Sequence, residues 1–315
     1  MTVKSTLLLI SVFFSACAAA PTQRRETAPP LASEAEIAAA EATPLVNVDA
    51  EWNAAVEPFT VIGNIHYVGV EGVSAFLITT PEGHFLLDGA FAQSAPQIIA
   101  NIKSLGFDIH DVRYLLNSHA HYDHAAGLAR LQRASGATMV ASVADRASLE
   151  AGRFPYGPSA EETFPPVRVD RVIGDGERLT LGGVALTAHL TPGHTPGCTS
   201  WSMAVTGADD AAHRAFFHCS ATVAGQSLAP PGYPNIVADF EATFARIRRI
   251  EADVLLTSHP SFMDMDARRA RQIAGDANAF VDAAALGALN DRLETAFNAE
   301  LERQRAAGET PAVKD

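Results

Sequence analysis

One run of eight residues limits what this chain can become. Asn117-Ser118-His119-Ala120-His121-Tyr122-Asp123-His124 places four metal-capable side chains in six consecutive positions. The run follows the apolar stretch Val112-Arg113-Tyr114-Leu115-Leu116, which reads as a buried strand. It precedes a glycine-punctuated helical stretch at Ala125–Gln132. The cluster therefore belongs on the loop leaving the carboxyl end of a strand, where open α/β sheets gather ligands. Residues two apart in extended chain point the same way, so His119 and His121 can grip one ion. Asp123 and His124 come as the chain turns toward the helix and can face a second. Crowding three imidazoles and a carboxylate has no packing benefit that offsets their desolvation. Zinc accepts these donors at about 2.0–2.2 Å.

Two further loops repeat the pattern. Leu190-Thr191-Pro192-Gly193-His194-Thr195-Pro196-Gly197 is a rigid turn that fixes His194 where the strand Val184–His189 ends. Val254-Leu255-Leu256-Thr257-Ser258-His259-Pro260 is a buried strand ending in His259. His66, His84, His110, His189, His213 and His218 lack such a context and read as structural. The donors are then His119, His121, His194, Asp123, His124 and His259. Catalytic zinc takes about three protein ligands and keeps a position open, so these suit two Zn2+ ions. His119, His121 and His194 go to the first, and Asp123, His124 and His259 to the second. Coordination brings the pKa of water from ~15.7 to about 7, which makes a hydrolase with no nucleophilic side chain.

The rest of the chain frames this centre. Lys4 and the apolar core Leu7–Phe14, too short to span a bilayer, read as an export segment over residues 1–17. Phe14-Ser15-Ala16-Cys17 resembles a lipoprotein cleavage box with Phe14 in place of its usual leucine. Lipidation of Cys17 and ordinary cleavage among the alanines both stay open. Either route points to the periplasm of a Gram-negative bacterium. Residues 18–50, rich in Ala, Glu, Thr and Pro, read as a flexible tether, although Ala35–Ala42 has marginal helical character. Residues 51–306 suit one large domain, and 307–315 a tail. The formal charge of −13 argues against a nucleic-acid partner; a monomer is the default. Cys198 and Cys219 could pair in an oxidising compartment, but two unpaired buried thiols are the simpler expectation.

Apolar runs at Phe59–Ile62, Ile65–Val70, Val73–Thr79 and Phe85–Asp88 read as an antiparallel meander, followed by a helix at Pro96–Leu105. After the metal loop come a strand at Met139–Ala141 and a helix near Val143–Glu150. The second half holds strands near Val169–Ile173, Leu179–Leu181, Val184–His189, Thr199–Ala204, Arg214–His218 and Val254–Thr257. Its helices fall at Phe240–Ile250, Ala267–Gly275 and Asp282–Ala306. Two halves of strands followed by helices predict an α/β fold, a four-layer αββα sandwich of two mixed sheets packed face to face.

On these residues the chain resembles the metallo-β-lactamase superfamily, and more closely its B3 subclass, from about Trp52 through Leu301. His119-Ala-His121-Tyr-Asp123-His124 matches the B3 motif; B1 enzymes have Arg after the Asp and use a cysteine for the second zinc. The His194 turn and Leu-Leu-Thr-Ser-His259-Pro are similar to the remaining ligand segments. Glyoxalase II-like thioesterases and lactonases of the superfamily carry a bridging Asp before the final ligand. The matching stretch here, Phe216–Gly225, has no carboxylate. Many B3 enzymes also carry a cystine where Glu251–Asp253 and Ala283–Ala285 hold no cysteine.

The resemblance implies hydrolysis of the β-lactam amide bond, hence antibiotic resistance, by water activated between two zincs and oriented by Asp123. It implies Ser220 and Thr222 as contacts to the substrate carboxylate, and Cys219 as no ligand. Loops near Arg153–Gly157, with Phe154 and Tyr156, and Gly225–Tyr233 would wall the pocket. The alternative is a dinuclear-zinc hydrolase of another ester, lactone or thioester.

Overall fold

The computed structural model describes residues 29–45, 50–208 and 210–309. The expected export segment, with Cys17, lies outside these residues.

A seven-stranded sheet runs in chain order through β1 (Phe59–Ile62), β2 (Ile65–Tyr67), β3 (Phe76–Thr80), β4 (Gly83–Leu87), β5 (Val112–Leu116), β6 (Thr138–Ser142) and β7 (Arg171–Ile173). The pairs from β1 to β4 are antiparallel; β4 through β7 are parallel. The second sheet has the order β12-β11-β10-β9-β8, built from β8 (Arg178–Leu181), β9 (Val184–Leu190), β10 (Thr199–Thr206), β11 (Ala212–His218) and β12 (Val254–Thr257). Only β11 and β12 pair in parallel. The inner faces share one apolar layer in which Phe76, Phe85, Leu116, Trp201, Phe217 and Leu256 are buried together.

Helices cover both outer faces. Beside the first sheet lie α1 (Glu34–Ala42), α2 (Ala95–Ser104), α3 (Tyr122–Ala125), α4 (Leu128–Ser135) and α5 (Val143–Ala151). On the second sheet pack α6 (Ile236–Ile247), which connects β11 to β12, and α8 (Ala285–Glu309); α7 (Met265–Ile273) lies between them in the chain. Phe240, Phe244 and Ile247 on α6 and Leu289, Leu293, Phe297 and Leu301 on α8 recur at three or four residues, which gives each helix one buried stripe. This is the four-layer αββα sandwich.

Four expectations change. The strand expected near Val169–Ile173 to open the second half is β7, which instead closes the edge of the first sheet, because the crossover through α5 returns the chain parallel to β6. The stretch expected to be a tether contains α1, closed at its start by a capping box between Ser33 and Glu36, with Ile37 buried. Arg130 pairs with Glu34 and Glu41, and Arg133 with Glu34, pinning α1 to α4. The single helix expected at Ala125–Gln132 is two, α3 and α4, because residue 127 crosses a neighbouring loop. A Cβ on Gly127 would sit 2.0 Å from the Gly89 carbonyl oxygen. Cys198 and Cys219 form a disulfide with Cα atoms 5.9 Å apart, so they are not free thiols. The antiparallel register Trp201↔Phe217 brings the start of β10 beside the end of β11. That geometry is what the expectation of unpaired thiols lacked.

Strand direction positions the site. Parallel β4, β5 and β6 end at one rim, and β9, β11 and β12 run toward the same rim in the facing sheet.

Candidate metal centre

The six expected donors meet at that rim. His119, His121 and His194 bring ligand atoms within 4.8 Å of one another, and so do His119, Asp123 and His124. His121 Nδ1 lies 3.0 Å from His194 Nε2, and His124 Nε2 lies 3.2 Å from His259 Nε2. Asp123 Oδ2 is 3.3 Å from His124 Nε2 and 3.5 Å from His259 Nε2.

Backbone carbonyls set the imidazole tautomers. His194 Nδ1 lies 2.8 Å from the Thr222 carbonyl, and His259 Nδ1 lies 2.8 Å from that of Gly72. A carbonyl can only accept, so each Nδ1 carries the proton and each Nε2 turns its lone pair into the cluster. His119 Nδ1 contacts Ser118 Oγ at 2.9 Å, while its Nε2 is buried without a hydrogen-bond partner. An orphaned imidazole nitrogen facing other nitrogens and a carboxylate fits a cation better than any internal bond. The residues present suit divalent metal. His119 with Cys198 and Cys219 makes another close group, but the disulfide removes both thiolates as ligands.

The electrostatics agree. Burial, then neighbouring imidazoles, hold His119 and His121 well below the ordinary imidazole range. Burial also takes His194 down to about 4. His124 goes the other way: burial opposes its charge, yet Asp123 and Asp88 raise it to about 10. The Asp123 carboxyl is held far below its usual range by His124 and His259 against the burial that would raise it.

A cavity of about 1160 Å³ opens over this cluster, with His121, Asp123, His194, His259, Trp52 and Thr222 among its walls. Thr222 Oγ1 lies 3.1 Å from His194 Nδ1. Ser220 is buried beside it, its Oγ 3.2 Å from Thr222 Oγ1, and does not line the cavity. Phe154 packs on the His121 ring at 4.5 Å and is buried; Tyr156 bridges Phe154 and Tyr233. From that segment the cavity meets Pro158, Ser159 and Glu162, and from the Gly225–Tyr233 loop Gln226.

Residues 68–208 match the family described as the metallo-beta-lactamase superfamily. BJP-1, a subclass B3 metallo-beta-lactamase of Bradyrhizobium japonicum, superposes with a TM-score of 0.79 at 42% identity, covering 82% of this chain and 99% of that one. The chain belongs to the metallo-β-lactamase superfamily. FEZ-1, a metallo-beta-lactamase from Legionella gormanii, superposes at a TM-score of 0.77 with 34% identity over 80% of this chain and 98% of its own. A hydroxyacylglutathione hydrolase of Rhodospirillum rubrum is 30% identical over 33% of this chain and 32% of its length. The first curated sequence relatives are spanned for about half their length or less.

Two carboxylates of this superfamily member escaped the sequence reading. Asp88, at the end of β4, accepts from Ser118 N at 2.7 Å and Asn117 Nδ2 at 3.2 Å, with Oδ2 3.6 Å from His124 Nδ1. Asp145, in the first turn of α5, accepts from Ala120 N, Thr195 Oγ1 and Gly197 N. Asp88 carried a signal, as a carboxylate closing a buried strand. Asp145 looked like an ordinary helix-start residue.

Proposed function

We propose that the chain hydrolyses the amide bond of β-lactams with two zinc ions at the His119–His259 centre. The observation that carries this reading is the meeting of six donors from three strand-end loops, with His124 present and no carboxylate supplied by Phe216–Gly225. The likeness to subclass B3 enzymes over most of the chain supports it.

His119, His121 and His194 would hold one ion, and Asp123, His124 and His259 the other. Bound zinc supplies Lewis acidity and hydroxide near neutral pH. Asp123 presents Oδ2 to the cluster and orients the water molecule there. The Thr222 and Gly72 carbonyls keep His194 and His259 in the tautomer that faces inward. Thr222, on the cavity wall, is placed to meet the substrate carboxylate, with Ser220 supporting it from behind. In the same reading residues 1–17 direct export to the periplasm, with or without a lipid at Cys17.

The test is turnover of a chromogenic cephalosporin by purified protein, lost with a chelator and restored by zinc, with metal content measured alongside. Turnover confined to lactones or thioesters would instead support the second reading, which the similarity to a hydroxyacylglutathione hydrolase suggests.

A further inference from the structure

The cavity over the metal centre is strongly anionic. Glu51, Glu71, Asp123, Glu162, Asp264 and Asp266 line it, and no lysine or arginine does among the described residues. On one wall, two acceptor oxygens are buried with no hydrogen-bond partner, Glu162 Oε2 and Gln226 Oε1. Gln226 is 2% exposed, and its Nε2 donates to the His194 carbonyl at 2.6 Å. That bond fixes the amide orientation and leaves Oε1 as an acceptor without a donor. The segments bearing the two groups pack together: a Cβ on Gly157 would lie 3.0 Å from Gln226 Cγ, and one on Gly225 2.9 Å from Pro158 Cγ. Burial, then the charge of Asp123, push the Glu162 carboxyl up against a hydrogen bond from the Ser159 side chain, so of its two oxygens Oε2 alone is left without a donor.

Buried acceptors without donors carry an uncompensated desolvation penalty, larger when the acceptor is charged. A ligand that brings N–H donors and positive charge removes it. We propose that this wall is a cation subsite selecting β-lactams with an ammonium group on the side chain, and that Glu162 is the specificity-determining residue. The inference rests on the β-lactam reading above and names its substrate class. The donor cluster on the floor serves the anionic end of such a zwitterion, and the Glu162 wall its cationic end.

Three penicillins that differ only at the side-chain α carbon test this: ampicillin (ammonium), benzylpenicillin (hydrogen) and carbenicillin (carboxylate). The zinc-loaded full chain is assayed where the ampicillin amine is protonated. The expected order of kcat/KM is ampicillin, benzylpenicillin, carbenicillin, with about tenfold between the extremes, the scale of a single part-buried charge contact. Glu162→Gln should bring the ampicillin-to-benzylpenicillin ratio toward one, and Glu162→Lys should invert the order. A ratio within one protein is insensitive to how much of it is correctly folded. Equal rates for the three in the wild type, or a ratio unmoved by Glu162→Gln, overturns the proposal. Failure to turn over any of the three, with a thioester or lactone hydrolysed by the same preparation, overturns the β-lactam reading and this inference with it.

Discussion

The Asp145 carboxylate accepts the Thr195 hydroxyl at 2.9 Å, and through that bond the His194 loop is tied to the loop carrying His119 and His121. The same carboxylate takes the amide of Ala120 at 3.0 Å and of Gly197 at 3.0 Å. One buried group thus sets the spacing of three donors contributed by two sheets. Its cost is visible in its titration, since burial raises it to about 6 against three hydrogen bonds that lower it.

Asp145→Asn should loosen the centre. The amide keeps one acceptor oxygen for three donors and turns N–H groups toward one of them. A loss of about 2–4 kcal/mol in stability is expected from the stranded donors, together with zinc affinity weakened ~10–100-fold. Thermal unfolding and competition with a chromophoric chelator measure the two effects. Unchanged zinc affinity would show that the two loops hold their spacing without this residue.

Removing one donor should empty its own half of the centre first. His259→Ala takes one of three ligands from the second ion, so metal content should fall toward one zinc per chain and turnover by 10²-fold or more, roughly the size of losing transition-state charge stabilisation. Metal analysis beside steady-state rates reads this out. Retention of two zincs would reassign the ligands.

Cys219 Sγ lies 3.6 Å from His119 Nδ1, yet as a disulfide sulfur it should play no part in holding metal. Cys198→Ser with Cys219→Ser should leave zinc stoichiometry intact. The bridge spans a sequence separation of 21, so the double variant should lose about 3 kcal/mol of stability. Loss of a zinc ion with stability preserved would contradict both halves of this expectation.

Acid should weaken the metal-free fold through His218. This imidazole is 4% exposed, and burial lowers it to about 4, below the ordinary imidazole value of about 6.5. The unfolded chain takes up the proton first as pH falls, so this contribution is intact above about pH 6.5. It is lost progressively toward pH 4, by up to about 3 kcal/mol. Thermal midpoints of chelator-treated protein from pH 7 to 4 should show the fall, and His218→Leu should reduce its slope, leaving the share carried by the buried His119, His121 and His194. An equal slope in the variant would assign the acid sensitivity to other groups.

The centre was legible because its donors are encoded by residue type and by position at strand ends, both local properties. His119, His121, Asp123 and His124 are neighbours in the chain, and apolar runs announce the strands before His194 and His259. The same logic placed the strands from Phe59 through Val254, since each alternates or runs apolar between turn residues. Asp145 was not legible as part of the centre, and Asp88 only as a carboxylate closing a buried strand, because a lone carboxylate acquires meaning from the donors that fold around it.

What the sequence by itself determined is the set of six candidate donors and the layering, because strand, helix and metal-capable residue types are written within short windows of chain. Tertiary structure alone decided the pairing of Cys198 with Cys219, through the register of β10 and β11. It also decided the docking of α1 through Arg130 and Arg133 and the gathering of Glu71, Glu162 and Asp264 around one cavity. These depend on distances between residues far apart in the chain, and such distances exist only once the two sheets have closed on each other.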